Sequence, residues 1–133
     1  MRPNPFIKFL SPEDHLQHQV IVWLGYQHPE LRYHHSPDAG KRTPFERFKY
    51  NYLGSDAGFL DLCFPSMLLA IELKVKPNKP TPAQLEWIAY LNENGWTAVV
   101  CYTFDETIKV ITDQIKIYAP KTKIAGLPAG PGR

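Results

Sequence analysis

Two carboxylates and a lysine lie close together in the sequence, at Asp61, Glu72 and Lys74. A hard divalent cation such as Mg²⁺ binds carboxylate oxygens and lowers the pKa of a water that it holds. Asp61 and Glu72 could hold such an ion, with the backbone carbonyl of Leu73 as a third oxygen. Lys74 could position or activate a water, or stabilise a developing negative charge. These residue types suit metal-assisted hydrolysis of a phosphodiester.

Two short strands joined by a turn are predicted to carry these residues. A strand over 59–64 directs Asp61 to one side of a sheet, because side chains alternate along a strand. A second strand over 67–75 places Glu72 and Lys74 on one face and aliphatic residues on the other. The two acids and the lysine are therefore expected to converge at one end of the sheet.

An alternative interpretation needs no catalysis. Glu72 and Lys74 could form an ordinary charge pair on the solvated face of a hairpin. On these three residues alone, the solvated hairpin is the simpler explanation. Evidence for a metal site must therefore come from the rest of the chain.

Composition sets the broad class of the protein. A chain of 133 residues is long enough for one domain, and a net charge of +2 does not by itself indicate a nucleic-acid partner. Both cysteines, Cys63 and Cys101, fall in predicted strands, so we expect buried thiols in a reducing compartment. With neither a signal peptide nor a membrane span recognisable, we expect a soluble, cytoplasmic protein.

Capping residues and periodicity predict four helices and two further strands. The first helix begins after Ser11 and stops at Gly25, and Pro120 ends the last one. A strand, a helix and a second strand make a right-handed crossover, so the last strand should run parallel to the strand over 67–75. The predicted helices are 12–24, 44–53, 82–94 and 104–118, and the further strands are 31–35 and 96–102.

Two polar residues lie in the first turns of predicted helices, where a helix-terminal role could explain them. Glu13, in the first turn of the first helix, either stabilises the positive end of the helix dipole or brings another acid to the metal. Gln84 stands three residues after Thr81. Reaching back to cap that helix explains Gln84 fully.

Basic and aromatic residues alternate around the second helix. Such a mixture suits phosphate contact and stacking on splayed bases. The alternative, which better explains most of the aromatics, is an amphipathic helix with its rings turned inward. The candidate DNA-binding residues are Lys41, Arg42, Arg47 and Lys49, together with Lys76 and Lys79 in and beside a basic Pro-rich connection.

The composition of the two ends of the chain leads to further predictions. An apolar run before the first helix, Phe6-Ile7-Lys8-Phe9-Leu10, could form a dimer interface or pack onto the domain's own core. The domain is predicted over 1–118. The segment 119–133 is rich in Pro and Gly and is expected to be mobile unless a partner orders it.

In combination, these elements and motifs resemble the VRR-NUC family, the virus-type replication and repair nucleases of the PD-(D/E)xK superfamily. The matching residues extend over most of 11–102, which makes the resemblance more specific than the three-residue motif. They are Glu13, Gln17, Ser36-Pro-Asp-Ala-Gly40, Gly58-Phe-Leu-Asp61, Ile71-Glu72-Leu-Lys74, Thr81-Pro-Ala-Gln84 and Gly95.

The resemblance implies an α/β fold with a restriction-endonuclease-like core, in which helices flank a central mixed four-stranded sheet. It implies a DNA nuclease of replication, recombination or repair that uses Mg²⁺ or Mn²⁺. Asp61 and Glu72 would bind the metal, and Lys74 would act on the attacking water. Glu13 would be the helix-borne acid and Gln84 the glutamine that follows the motif.

The resemblance also bears on the substrate and the assembly. Free-standing members of this size often resemble dimeric resolvases of Holliday junctions, in a viral or phage-like setting. The same module in large repair proteins trims flaps as a monomer, and a catalytically inactive DNA-binding module is a third alternative. Two residues depart from the family pattern. Leu60 replaces a proline, and Asp38 stands where asparagine is expected, which puts the role of that loop in doubt.

A zinc protein is a rival of a different class. His15 and His18 lie one helical turn apart, and His34 and His35 are adjacent. No third ligand at a recognisable spacing supports a zinc site, and exposed histidines on helices are common.

Overall fold

The computed structural model describes residues 2–36 and 42–122, with side chains up to residue 118. The loop around Asp38, Lys41 and the tail from residue 123 lie outside the described residues. The helical elements are η1 Pro5–Phe9, α1 Pro12–Gln27, α2 Pro44–Tyr52, η2 Pro65–Met67, α3 Pro82–Glu93 and α4 Phe104–Thr122, where η marks a 3-10 helix. The strands are β1 His34–His35, β2 Leu62–Phe64, β3 Leu69–Leu73 and β4 Thr97–Cys101.

The four strands form one mixed sheet in the order β1-β2-β3-β4. β2 pairs antiparallel with both β1 and β3, whereas β3 pairs parallel with β4. Helix α3 makes the crossover between the parallel strands. The predicted mixed four-stranded sheet with flanking helices is confirmed.

Helices cover both faces of the sheet, so its central strand is buried on both sides. One core contains Val20 of α1, Ile71 of β3 and Ile111 of α4, and the other joins Ala70 of β3 to Leu91 of α3. Every residue of β3 is buried. The solvated hairpin is therefore wrong, because no face of this strand is left to water.

The strands around the candidate acids are shorter than predicted. β2 begins at Leu62 rather than at residue 59, because the chain bends at Asp61, and the Asp61 carboxylate accepts the Leu73 amide that a longer ladder would use. The helix η2 and a left-handed Leu68 replace the first two residues of the predicted β3. Asp61 therefore lies outside the sheet, where its side chain can turn toward β3.

Two helices run beyond their predicted ends. Helix α1 passes through Gly25, whose helical penalty is only about 1 kcal/mol, and the Leu24 carbonyl still accepts the amide of His28. Helix α4 continues past Pro120 to Thr122. Among the described residues, none of the helices has the length and hydrophobicity that a membrane crossing requires. Both cysteines are free and buried, as predicted.

Gly58 is where the loop before Asp61 touches α3. It has a φ of +92°, and a Cβ there would lie 2.7 Å from the Ala83 Cβ, 2.8 Å from the Ala83 carbonyl carbon and 3.0 Å from the Gln84 amide nitrogen. Backbone atoms of a helix cannot move aside as a flexible side chain can. The loop and the helix approach this closely only because residue 58 has no side chain.

We predict that Gly58→Ala lowers the free energy of unfolding by about 2–4 kcal/mol, through left-handed strain and overpacking together. Urea denaturation measures this loss. Gly54→Ala is the matched control, because Gly54 has a φ of +82° with nothing within 4 Å of the added Cβ. It should lose only about 1–2 kcal/mol. Equal losses in the two variants would contradict the close packing at Gly58.

Candidate active site

Asp61 is fixed by its neighbours at the point where β2 and β3 separate. Its Oδ2 accepts a hydrogen bond from the Leu73 amide at 2.8 Å. Its backbone carbonyl accepts the Ser36 amide at 3.1 Å. The carboxylate is thereby held against the carboxyl end of β3, next to Glu72.

Glu72 is a buried acid in the middle of the sheet. Its side chain is 2% exposed, and its Oε1 accepts the Gln84 Nε2 at 3.1 Å and lies 3.5 Å from the Lys74 Nζ. Its Oε2 is buried without any hydrogen-bond partner. Burial and then the negative charge of Asp61 raise the pKa of Glu72 to about 8, although Lys74 acts in the opposite direction.

The unpartnered oxygen of Glu72 requires a positive partner. A buried carboxylate oxygen without a donor is costly, and one ammonium group cannot neutralise two adjacent carboxylates. A proton would satisfy Glu72, and so would a divalent cation shared with Asp61. Mg²⁺ and Mn²⁺ favour oxygen ligands of this kind, so the donor set fits the cation that the sequence predicts.

Gln84 performs two tasks at once. Its side-chain Oε1 accepts the Thr81 backbone amide at 2.8 Å, and the Gln84 backbone amide donates to the Thr81 hydroxyl at 3.2 Å, which completes the predicted capping box. With Oε1 held by the cap, Nε2 is turned toward Glu72. The cap therefore does not explain Gln84 fully, because it also fixes the amide that orients the buried acid.

Glu13 lies at the end of β3 but is held by hydrogen bonds. Its Oε1 accepts the Asn78 Nδ2 at 2.6 Å and the Val75 amide at 3.3 Å. Burial acts to raise the pKa of Glu13, but these bonds and the charge of Lys74 lower it overall. In the part of the chain that the structure describes, no three His, Cys, Asp or Glu side chains are grouped to hold a metal. A ligand role for Glu13, like that of the Leu73 carbonyl, stays a prediction.

His35 is a neighbour of the site whose place the sequence did not suggest. Its Nδ1 lies 2.9 Å from the Gln17 Nε2 and 3.2 Å from the backbone carbonyl of Asp61. These contacts connect α1 and β1 to the chain at Asp61. Asn78, which holds Glu13, was also missed, because a single asparagine in a Pro-rich connection carries no distinctive signal. The histidine zinc site receives no support, since the described residues contain no such cluster.

The candidate DNA-binding residues are distributed over two regions. Arg42 stacks on Tyr50, with its guanidinium carbon 3.8 Å from the ring centroid. The Nζ atom of Lys76 lies 5.7 Å from the ring centroid of Tyr102. Lys41 is outside the described residues. The remaining three, Arg47, Lys49 and Lys79, are exposed.

The orientation of α2 differs from the prediction. Its aromatic side chains were expected to face inward, but no residue of this helix is buried. Phe45, Phe48 and Tyr52 are exposed to solvent. The prediction is wrong because the amphipathic pattern of α2 has no partner within the described part of this chain.

Comparison with known proteins agrees with the fold. No family model matches the sequence, and no curated protein does. A solved structure of a VRR_NUC domain protein is similar to this chain, with a TM-score of 0.67 and 32% sequence identity over 80% of this chain and 90% of that chain. This identity and coverage indicate a shared family as well as a shared fold. The chain belongs to the VRR-NUC family of nuclease-type domains.

Proposed function

We propose that this protein is a divalent-metal-dependent DNA endonuclease that hydrolyses phosphodiester bonds. The observation that carries the proposal is the buried, unpartnered Oε2 of Glu72 beside Asp61. A purely structural acid would be expected to have donors on both oxygens. Asp61 and Glu72 would hold Mg²⁺ or Mn²⁺, which when bound supplies charge stabilisation at the phosphoryl oxygen and a more acidic water.

The other residues prepare these two acids and the reacting water. Gln84 and the Leu73 amide each donate to one carboxylate, so the acids are oriented before a substrate arrives. Lys74, 15% exposed, lies against Glu72 and retains some access to solvent. There its ammonium group can orient the attacking water or stabilise the charge that develops on the phosphate.

We further propose that the substrate is branched DNA of the Holliday-junction type. Symmetric cleavage of a four-way junction needs two active sites related by two-fold symmetry, and therefore a homodimer. The exposed basic residues Arg47 and Lys79 are suited to phosphate contacts. Trimming of flaps or single strands by a monomer is the alternative, as is binding without cleavage.

We predict that Lys74→Ala lowers the cleavage rate at least about a hundredfold, because it removes the cation beside the reacting phosphate. The assay compares a labelled four-way junction, a flap, a linear duplex and a single strand in Mg²⁺, Mn²⁺ or chelator. Lys116→Ala, which removes an exposed lysine from α4, is the matched control and should cleave as the wild type does.

The products distinguish the alternatives. Paired symmetric nicks in the junction that need metal and Lys74 would support a resolvase. Cleavage of the flap or single strand alone would remove the junction proposal and keep the nuclease. Wild-type protein that binds these DNAs but cuts none of them would contradict the proposed activity, and full activity in Lys74→Ala would exclude Lys74 from the mechanism.

A second prediction concerns pH and stability. Because the pKa of Glu72 rises from 4.5 to about 8 on folding, the folded state binds a proton that the unfolded state releases. The free energy of unfolding in chelator should therefore fall as the pH rises from 4.5 to 8, by on the order of a few kcal/mol from this group. Millimolar Mg²⁺ should restore much of this loss at pH 8.

Glu72→Gln supplies the control for the pH effect, since it cannot ionise. Denaturation at several pH values in chelator should give a smaller loss of stability in this variant than in the wild type. Mg²⁺ should have little effect on its stability. An identical pH slope in the two proteins would show that Glu72 is not the titrating group.

A further inference from the structure

Helix α2 presents an apolar surface that nothing in the described part of the chain covers. Phe45, Phe48 and Tyr52 recur at helical spacing and are 69%, 61% and 77% exposed, and Leu53 after them is 67% exposed. Phe48 and Tyr52 stack, with ring centroids 5.5 Å apart and an interplanar angle of 24°. We call the three rings the α2 aromatic stripe.

The helix itself needs a packing partner. A helix of nine residues has too few hydrogen bonds to be stable alone in water, and most helical stability in proteins comes from burying an apolar face. Helix α2 buries no residue. A DNA strand would cover the stripe only while bound. A second copy of the chain would cover it in the free protein, so the second copy is the better occupant.

The size of the stripe fits this occupant. The three rings together expose roughly 400 Å². A stable interface buries about 800 Å² on each partner, so α2 would supply about half of it.

We propose that two copies of this chain associate through α2, packed antiparallel about a two-fold axis at Phe48. In an isologous interface, a residue i of one copy that contacts residue j of the other is matched by a second contact between j and i, and only residues on the axis meet their own copies. With the axis at Phe48, this ring meets its own copy, and Phe45 of each chain lies opposite Tyr52 of the other. The three rings of one chain then match the three rings of its partner.

The charges beside the stripe agree with the same axis. Glu46 and Lys49 lie on one flank of the stripe, one turn apart. In an antiparallel pair each flank faces the same flank of the other copy. The midpoint between Glu46 and Lys49 and the midpoint between Phe45 and Tyr52 both fall within half a residue of Phe48. Glu46 of each copy is thus placed opposite Lys49 of the other.

This inference deepens the homodimer of the proposed function and rests on it only for its biological use. The interface is derived from the exposed side chains of α2 and not from the metal site. It can be tested in the absence of DNA and metal, so failure of the interface and failure of the nuclease activity are separate results.

The first experiment cross-links the two-fold axis. Phe48→Cys places two thiols at the axis, and the native Cys63 and Cys101 are buried. Oxidation or a short bis-maleimide should convert most of this variant to a covalent dimer. Tyr26→Cys, at an 83% exposed position on α1, is the control and should stay mostly uncross-linked. Cross-linking of the control to the same extent, or of neither variant, would overturn the proposal.

The second experiment exchanges the charges. By sedimentation, Glu46→Lys and Lys49→Glu should each weaken self-association about tenfold or more, because like charges then face each other. Glu46→Lys also removes the hydrogen bond that Glu46 accepts from the Thr43 hydroxyl. An equimolar mixture of the two variants should form a heterodimer, since it restores both opposite-charge pairs. Pairing within one helix could not produce that recovery. Variants that stay monomeric when mixed, a monomeric wild type, or single variants that dimerise like the wild type would each contradict this interface.

Discussion

The candidate site depends on one carboxylate that the fold buries at an energetic cost. Glu72 lies in the central strand, with helices covering both faces of the sheet and one carboxylate oxygen left without a donor. Nothing about the stability of the sheet requires an acid here, and an aliphatic residue would fill this position at lower cost. This cost is the basis of our proposal that Glu72 belongs to a site whose remaining positive charge comes from outside the polypeptide.

Several local features help to orient the Glu72 carboxylate and its neighbour Asp61. Gly58 lets the Asp61 loop approach α3, and the Thr81 amide holds the Gln84 side chain in the orientation that reaches Glu72. The bend at Asp61 shortens β2 and frees a carboxylate for the Leu73 amide. Packing, capping and strand termination thus all contribute to the orientation of the two acids. Such preorganisation is the usual way in which a protein prepares an electrostatic site.

The sequence predicts those features that depend on residues close together in the chain, and it does not predict those that depend on tertiary contacts. The helix caps at Ser11, Thr43 and Thr81 depend on residues that are near one another in the chain. So do the parallel crossover and the chemistry of the two acids and the lysine. The place of His35 beside Asp61 is not, because it depends on a tertiary contact with Gln17. The helical periodicity of α2 is present in the sequence, but the pattern does not distinguish an apolar stripe that meets its own core from one that meets another molecule.

Metal binding tests the central claim most directly. Calorimetric titration of Mn²⁺ into the metal-free protein should show saturable binding. Glu72→Gln should lower the affinity at least about tenfold, because a carboxylate ligand is lost. Glu86→Gln, which removes an exposed acid from α3, should bind Mn²⁺ as the wild type does. Equal affinity in the Glu72 variant and the wild type would contradict the assignment of the buried acid as a metal ligand.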